Sequence, residues 1–233
     1  MKIFSTLLGL LLLTQTASAA TPVGTYYQVN VTNPAAVVAA LDAYADSPTG
    51  QKTPAQVTLF QIMSNGSNPA THAISVSFAS AEDMDRSRAI NMASKDFRAM
   101  QASMAGAMTP VSESMFRGTG ITAGSWAAIT SDNPVGRFIL MDVQNPAAYV
   151  AAWKKMMASR ESELPSSVAQ IMGAGTADTS HVVSIFANNM AEMMALADAN
   201  QGNPAWAEFL TSVDGVRTIE DDAMVMRIKS WAN

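Results

Sequence analysis

The sequence predicts an α+β protein built from two tandem copies of one β-α-β-β-α-β unit, because parts of the chain occur twice in the same order. The stretch Asn-Pro-Ala-Ala-Val-Val-Ala-Ala at 33–40 returns at 145–152 with one change. Gln-Ile-Met at 61–63 returns unchanged at 170–172. Ordered self-similarity of this kind indicates that one structural unit was duplicated.

Each copy contains the same series of predicted elements. Asn33 and Asn145 are expected to cap the first helix of their copies, because asparagine accepts a backbone hydrogen bond there and the proline that follows suits the first helical turn. In the first copy the predicted strands are 26–31, 56–63, 71–78 and 111–117, and the predicted helices lie within 34–45 and 81–104. In the second copy the predicted strands are 137–143, 168–172, 181–186 and 217–228, and the predicted helices are 146–159, 190–199 and 204–213.

The first 19 residues have the pattern of a secretory signal peptide. Lys2 supplies a positive charge, residues 3–13 are mainly apolar, and the segment 17–19, Ala-Ser-Ala, has the small residues of a cleavage site. The apolar run is shorter than the roughly 20 residues that a membrane-spanning helix needs. We therefore expect a bacterial protein that is periplasmic or secreted, with no membrane anchor after cleavage. The expected organisation is a signal peptide at 1–19, a first repeat at 20–117, a linker at 118–136 and a second repeat at 137–233.

The composition argues against several classes of function. The chain carries 14 Lys and Arg against 19 Asp and Glu, and its basic residues form no cluster, so a nucleic-acid partner is not expected. Because there is no cysteine, the chain has no disulfide, no thiolate nucleophile and no cysteine-ligated metal.

The β-α-β-β-α-β unit corresponds to the ferredoxin-like fold, in which both helices cover one face of the sheet. The other face needs a covering layer, and in a chain with two such units the second sheet supplies it. We therefore predict that the two sheets face each other with the helices outside. This pattern resembles the dimeric α+β barrel superfamily, in particular its tandem-repeat members and the antibiotic-biosynthesis-monooxygenase-like proteins. The resemblance covers about residues 25–117 and 137–229 and rests on the repeat, the element order and the long or split second helix.

The resemblance implies a central cavity between the sheets, and we expect a small apolar or aromatic ligand there. The superfamily includes monooxygenases without cofactors, heme-degrading and chlorite dismutase-like heme proteins, and small-molecule binders. In those heme proteins the histidine that binds iron lies in a helical segment, whereas His72 and His181 both precede predicted strands. We therefore predict no cofactor. Two histidines without further ligands also predict no metal site.

Polar residues at matching positions of the two repeats are candidates for the ligand site. A polar side chain on a strand among apolar neighbours either lines a cavity or hydrogen-bonds within the fold. Two alternatives stay open: the polar strand residues reach a helix cap, or the two histidines are hairpin-end residues inherited from one ancestral repeat. The candidate ligand-binding residues are Asn30, Gln61, His72, Asp142, Gln170 and His181.

Three functions are compatible with these patterns. The first is an exported protein that binds a small molecule between its two sheets, and the second is a cofactor-independent monooxygenase-like enzyme that acts on an apolar or aromatic compound. The third is a structural or interaction module whose intersheet space is filled. The sequence identifies no catalytic residue and predicts no oligomeric state. The volume of the intersheet space separates the first two functions from the third.

Overall fold

The computed structural model describes residues 21–160, 162–175 and 177–232. The predicted signal peptide at 1–19 lies outside the described residues, so export stays a prediction. The strands are β1 Val23–Val31, β2 Gln56–Ser64, β3 His72–Phe78, β4 Met108–Ala123, β5 Val135–Val143, β6 Ser166–Gly173, β7 His181–Ala187 and β8 Arg217–Trp231. The helices are α1 Pro34–Ala45, α2 Ala81–Ala93, α3 Lys95–Met104, α4 Pro146–Ala158, α5 Met190–Asn200 and α6 Pro204–Ser212. None of the described helices is long and apolar enough to cross a membrane.

The order of elements confirms the predicted α+β class, because each repeat runs β-α-β-β-α-α-β. The two caps predicted from the sequence are present. The Asn33 side chain accepts a hydrogen bond from the backbone N–H of Ala36 at 3.1 Å, and Asn145 accepts one from Ala148 at 3.1 Å. The second helical region is split in both repeats, and in the first repeat Ser94 ends α2 and caps α3.

The eight strands form one closed antiparallel barrel in the order β1-β3-β2-β8-β5-β7-β6-β4, with every strand among the described residues. The sequence pattern predicts two sheets face to face, and the structure adds that these sheets share their edges. β4 pairs with β1 of its own repeat and β6 of the other, and β8 pairs with β5 and β2 in the same way. Closure gives the backbone N–H and C=O groups of each edge strand a partner.

The strand pairs that join the two repeats depend on two strands that are longer than their sequence patterns indicate. β4 continues to Ala123 and β8 continues to Trp231, and the added residues of each pair with a strand of the other repeat. Residues 118–123 of the predicted linker therefore belong to the barrel. The sequence analysis did not predict this part of the strand, because residues 118–122 include two glycines and glycine is depleted in ordinary strands.

Aromatic rings fill the middle of the barrel interior. Phe138 lies at the centre of this cluster. The centroid of its ring is 5.5 Å from that of Tyr26, 5.9 Å from that of Phe60 and 5.7 Å from that of Phe186. Trp126, in a short turn before β5, places its ring 4.8 Å from that of Phe186. Tilted and edge-on pairs at these distances are favourable beyond their burial of apolar surface. The two repeats are thus held together by packed rings rather than separated by an open space at this level.

Two equivalent glycines make this close packing possible. Gly24 and Gly136 occupy matching positions at the start of β1 and β5. A Cβ atom on Gly136 would lie 2.6 Å from the Phe186 ring, and one on Gly24 would lie 2.4 Å from the Phe116 ring. Both contacts are too short for a side chain, so each glycine allows a phenylalanine ring to lie against its strand.

The outer face of the barrel carries the helices in two separate layers. In the first repeat the layer buries Val29, Val37 and Leu41. In the second repeat it buries larger side chains, among them Trp153 and Phe209. The two helix layers thus differ in the size of the side chains that they bury.

Candidate functional site

The two glutamines predicted to line an intersheet cavity lie on the outer face of the barrel. Gln61 pairs in register with His72, and Gln170 pairs with His181. The preceding pair, Phe60 with Ala73, belongs to the interior cluster. Because neighbouring residues of a strand point to opposite faces, Gln61 and His72 point outward. The expectation of inward-facing glutamines is therefore corrected by the strand register.

Asn30 and Asp142 lie next to the last residue of β1 and β5, on the inward-facing side of the strands. A carboxylate oxygen of Asp142 accepts a hydrogen bond from the Gln144 side chain at 2.9 Å. The structure therefore distributes the six predicted residues over two hairpin pairs and two strand ends. Only the pairs Gln61–His72 and Gln170–His181 are direct neighbours in the strand register.

The two histidines have the same role in the two repeats. The Nδ1 atom of His72 shares a hydrogen bond of 2.9 Å with the Thr71 hydroxyl, which accepts the backbone N–H of Val31 at 2.9 Å. His181 shares one of 2.9 Å with the Ser180 hydroxyl, which accepts the N–H of Val143 at 2.8 Å. Each histidine thus joins the start of a hairpin strand to the end of the first strand of its repeat. This contact supports the structural alternative for both residues.

Among the described residues of the interior, the Tyr26 side chain has a buried polar group without a hydrogen-bond partner. The Tyr26 hydroxyl is buried among the rings, and no described residue hydrogen-bonds it. Burial, and to a smaller extent the negative charge of Asp221, raises the pKa of this phenol far above its ordinary value. Tyr26 is therefore a neutral phenol at physiological pH.

A cleft lies in the second repeat, between the outer face of the sheet and helices α4, α5 and α6. We call it the sheet–helix cleft, and its volume is about 280 Å³. Its walls are mainly apolar and aromatic, and they include Ile139, Met141, Trp153, Val183, Trp206 and Phe209. This volume lies just below the range of about 300–1,000 Å³ that is typical of ligand sites, and the mainly apolar lining is typical of them.

A smaller space of about 30 Å³ lies in the first repeat, between the end of α1 and the strands β2 and β8. Trp231 at the end of β8 lines this space and pairs in register with Val57. Its indole N–H donates to the Asp42 carboxylate of α1 at 2.6 Å. The matching position of the second repeat, opposite Ser166, is occupied by Ala123, which packs against the apolar core there and is not among the described lining residues of the sheet–helix cleft. The two spaces therefore lie at different places in their repeats.

Three arginines line the sheet–helix cleft, and their surroundings differ. Arg137 is paired with the carboxylate of Asp222. Arg160 donates hydrogen bonds to the Leu164 carbonyl and to the Ser166 hydroxyl, the latter at 3.1 Å. Burial lowers the pKa of Arg160, which still carries its charge at neutral pH because a guanidinium is so basic.

Arg217 lies among aromatic rings. Its guanidinium carbon is 5.8 Å from the centre of the Tyr149 ring and 5.6 Å from that of Phe209, so it makes cation–π contacts with both. Burial raises the pKa of Tyr149 to about 12, and the charge of Arg217 opposes that shift. Tyr149 is thus a protonated hydroxyl beside a cation on the wall of the cleft.

The lining of the cleft favours an organic ligand over a metal ion. The described lining residues include four methionines and three arginines but no His, Asp or Glu. Nowhere in the described part of the chain do three His, Asp or Glu side chains come close enough to share a metal ion. The arrangement offers flat apolar walls for a ring and positive charge for an acidic group.

The sequence analysis did not identify the three arginines, although the duplication contains a signal for them. Aligning the two copies on their repeated stretches matches Arg137 to Thr25 and Arg217 to Met108. The strand register confirms the second match, since Met108 lies opposite Val31 and Arg217 opposite Val143. Differences between the copies, rather than their similarities, mark this cleft.

The two histidines predict that acid destabilises the protein. Burial lowers the pKa of His72 and His181 from the ordinary value of 6.5. Between the lowered pKa and 6.5 the unfolded chain binds more protons than the folded chain, so the free energy of unfolding falls as the pH drops through this window. Urea unfolding at about pH 7.5 and about pH 5.5 measures the loss. The double variant H72N/H181N should lose less than the wild type, and an equal loss in both proteins would contradict the prediction.

Comparisons with known proteins find similarity in structure alone. The sequence matches no protein-family model, and no curated protein is significantly similar to it. A candidate monooxygenase from Fusobacterium nucleatum superposes with a TM-score of 0.63 at 10% identity, covering 92% of this chain and 95% of its own. An anthrone oxidase-like protein gives 0.59 at 11% identity, with coverages of 93% and 94%. A candidate monooxygenase from Lactobacillus acidophilus gives 0.57 at 14% identity, with coverages of 91% and 96%.

These matches extend over both repeats and confirm the fold predicted from the internal duplication. At 10–14% identity they establish architecture and leave activity open. The chain therefore has the dimeric α+β barrel fold, with both halves of the barrel contained in one polypeptide.

Proposed function

We propose that this protein binds a small, mainly apolar or aromatic molecule in the sheet–helix cleft of its second repeat. The observation that carries the proposal is the cleft itself, a space of about 280 Å³ whose walls are mainly apolar and aromatic. The proposal keeps the ligand class predicted from the sequence. It moves the site to the helix side of one sheet, because packed aromatic rings occupy the middle of the intersheet space in which the sequence analysis expected the ligand.

The chemistry of the lining supports this ligand class. Trp153 and Trp206 offer flat apolar surfaces, and Met156, Met157 and Met193 offer flexible thioether chains that adapt to the shape of a ligand. Apolar walls with a few polar groups are the usual composition of a small-molecule site.

Filling the cleft should abolish binding. Ala197 of α5 lines the cleft, whereas Ala195 on the same helix is exposed. We expect A197F to weaken binding of the neutral two-ring probe 1-naphthamide at least about tenfold, and A195F to leave it unchanged. Isothermal titration calorimetry measures the affinity, and quenching of Trp153 and Trp206 fluorescence gives a second readout. Equal binding of 1-naphthamide by the wild type and A197F would refute the proposal, and so would a wild type that binds neither 1-naphthamide nor the related acid 1-naphthoate.

A second candidate function is oxidation of the bound molecule by O₂ without a cofactor. Two observations favour it: the barrel superposes on candidate monooxygenases and on an anthrone oxidase-like protein, and Arg217 lies beside the Tyr149 ring on the cleft wall. A nearby cation stabilises the deprotonated form of an acidic substrate, which transfers electrons to O₂ more readily than the neutral form. Since no His, Asp or Glu is among the described lining residues, the substrate proton passes to water.

An aromatic ketone with a reactive CH₂ group, such as anthrone, illustrates the balance of the reaction. The CH₂ carbon loses its two hydrogens and gains one oxygen atom of O₂ as a carbonyl. The other oxygen atom leaves with those hydrogens as water. The substrate is oxidised and O₂ is reduced, so no further reductant is needed.

Oxygen uptake with anthrone tests this second candidate. If it is correct, the wild type and A195F should consume O₂ at least about tenfold faster than A197F, because only A197F blocks the cleft. An uptake rate no higher than that of anthrone in buffer would exclude oxidation of this substrate class and leave binding as the function.

A further inference from the structure

We infer that the ligand of the sheet–helix cleft is an anion, and that its acidic group, a carboxylate or an ionised phenol or enol, pairs with Arg217. This inference rests on the proposed function and adds the charge of the ligand to it. Four observations support it. Arg217 has no counter-ion among the described residues, whereas the other two arginines of the cleft have polar partners. The first repeat has no arginine at the matching position, and Arg217 lies at one end of the cleft.

Arg217 lies beside two aromatic rings but has no counter-ion among the described residues. A guanidinium group carries five N–H donors. The structure gives Arg217 one hydrogen bond, from Nη1 to the thioether sulfur of Met141 at 3.2 Å. No described carboxylate lies within ion-pair distance of it, although four such pairs form elsewhere among the described residues. The side chain is half-buried, so the missing partners are only partly replaced by water.

The other two cations of the cleft are better satisfied. Arg137 has the Asp222 carboxylate as its counter-ion. Arg160 donates to Leu164, Ser166 and Ser162, although its Nε atom is buried without a partner among the described residues. An incoming anion therefore gains most by pairing with Arg217, where it does not have to displace an existing partner.

The first repeat shows that the fold does not need these charges. The positions that match Arg137, Arg160 and Arg217 hold Thr25, Pro48 and Met108. Met108 packs against the apolar core of the first repeat, in the layer that contains Val37. One copy of the unit thus builds this layer with an apolar side chain where the other places a cation. A purely structural role for Arg217 does not account for that difference.

The position of Arg217 also suits a ligand with one charged end. Arg217 contacts Met141 near the end of β5, whereas Arg137 lies near the start of the same strand. At about 3.3 Å per residue the two ends of this cleft floor are about 13 Å apart. Ile139 lies between them and, with Val183, gives an apolar floor for the body of the ligand.

A matched pair of probes tests the charge directly. 1-Naphthoate and 1-naphthamide have the same ring system and nearly the same shape, but only the first is an anion at about pH 7.5. We expect the wild type to bind 1-naphthoate at least about tenfold more tightly than 1-naphthamide by calorimetry. R217M should lose this preference while keeping its affinity for 1-naphthamide. R98M, which removes an arginine of the first repeat, should behave as the wild type.

Each outcome has a distinct meaning. Retained binding of 1-naphthamide by R217M shows that the variant is folded with an intact cleft. If R217M does not fold, R217K is tested in its place. Lysine keeps the positive charge but lacks the planar donor group of arginine, so R217K should prefer 1-naphthoate over 1-naphthamide less strongly than the wild type does. If the wild type binds both probes equally, or if R217M keeps the full preference, the inference is wrong and the cleft proposal stands. If neither probe binds the wild type, both proposals fail.

Discussion

The packing of aromatic rings inside the barrel is the interaction on which the rest of this structure depends. Phe138 contacts Tyr26, Phe60 and Phe186, and these four residues come from both repeats. Glycine at position 136 lets the Phe186 ring reach the strand beside it. Because the rings bring the two sheets into contact, the middle of the barrel serves cohesion, and space for a ligand is found on the helix side instead.

The duplication produced two such helix-covered faces, and their side chains differ. Trp231 lies on the first face and donates a hydrogen bond to Asp42, whereas Ala123 holds the matching register position of the second face. Trp231 comes from β8, a strand of the second repeat, through the same pairing between repeats that closes the barrel. Barrel closure thus brings a side chain of one repeat onto the helix-covered face of the other.

Much of the architecture follows from local sequence, and the site does not. The element order and the caps at Asn33 and Asn145 were predictable, because a cap depends on a residue and its immediate neighbours. The outward orientation of Gln61 was not, since apolar residues precede and follow it and the alternation of faces is hidden. Arg217 was identifiable only by contrast with Met108.

The central claim is that a ligand enters the sheet–helix cleft of the second repeat rather than the barrel interior or the first repeat. Methionine methyl groups lie in the two helix layers, so a ¹³C-methyl-methionine NMR spectrum of the protein titrated with 1-naphthamide reports the location directly. The account predicts shifts at Met141, Met156, Met157 and Met193, which line the cleft. The methyl groups of Met100 and Met104, which pack in the first repeat, should stay unchanged. Shifts at Met100 and Met104 without shifts at the cleft methionines would contradict it.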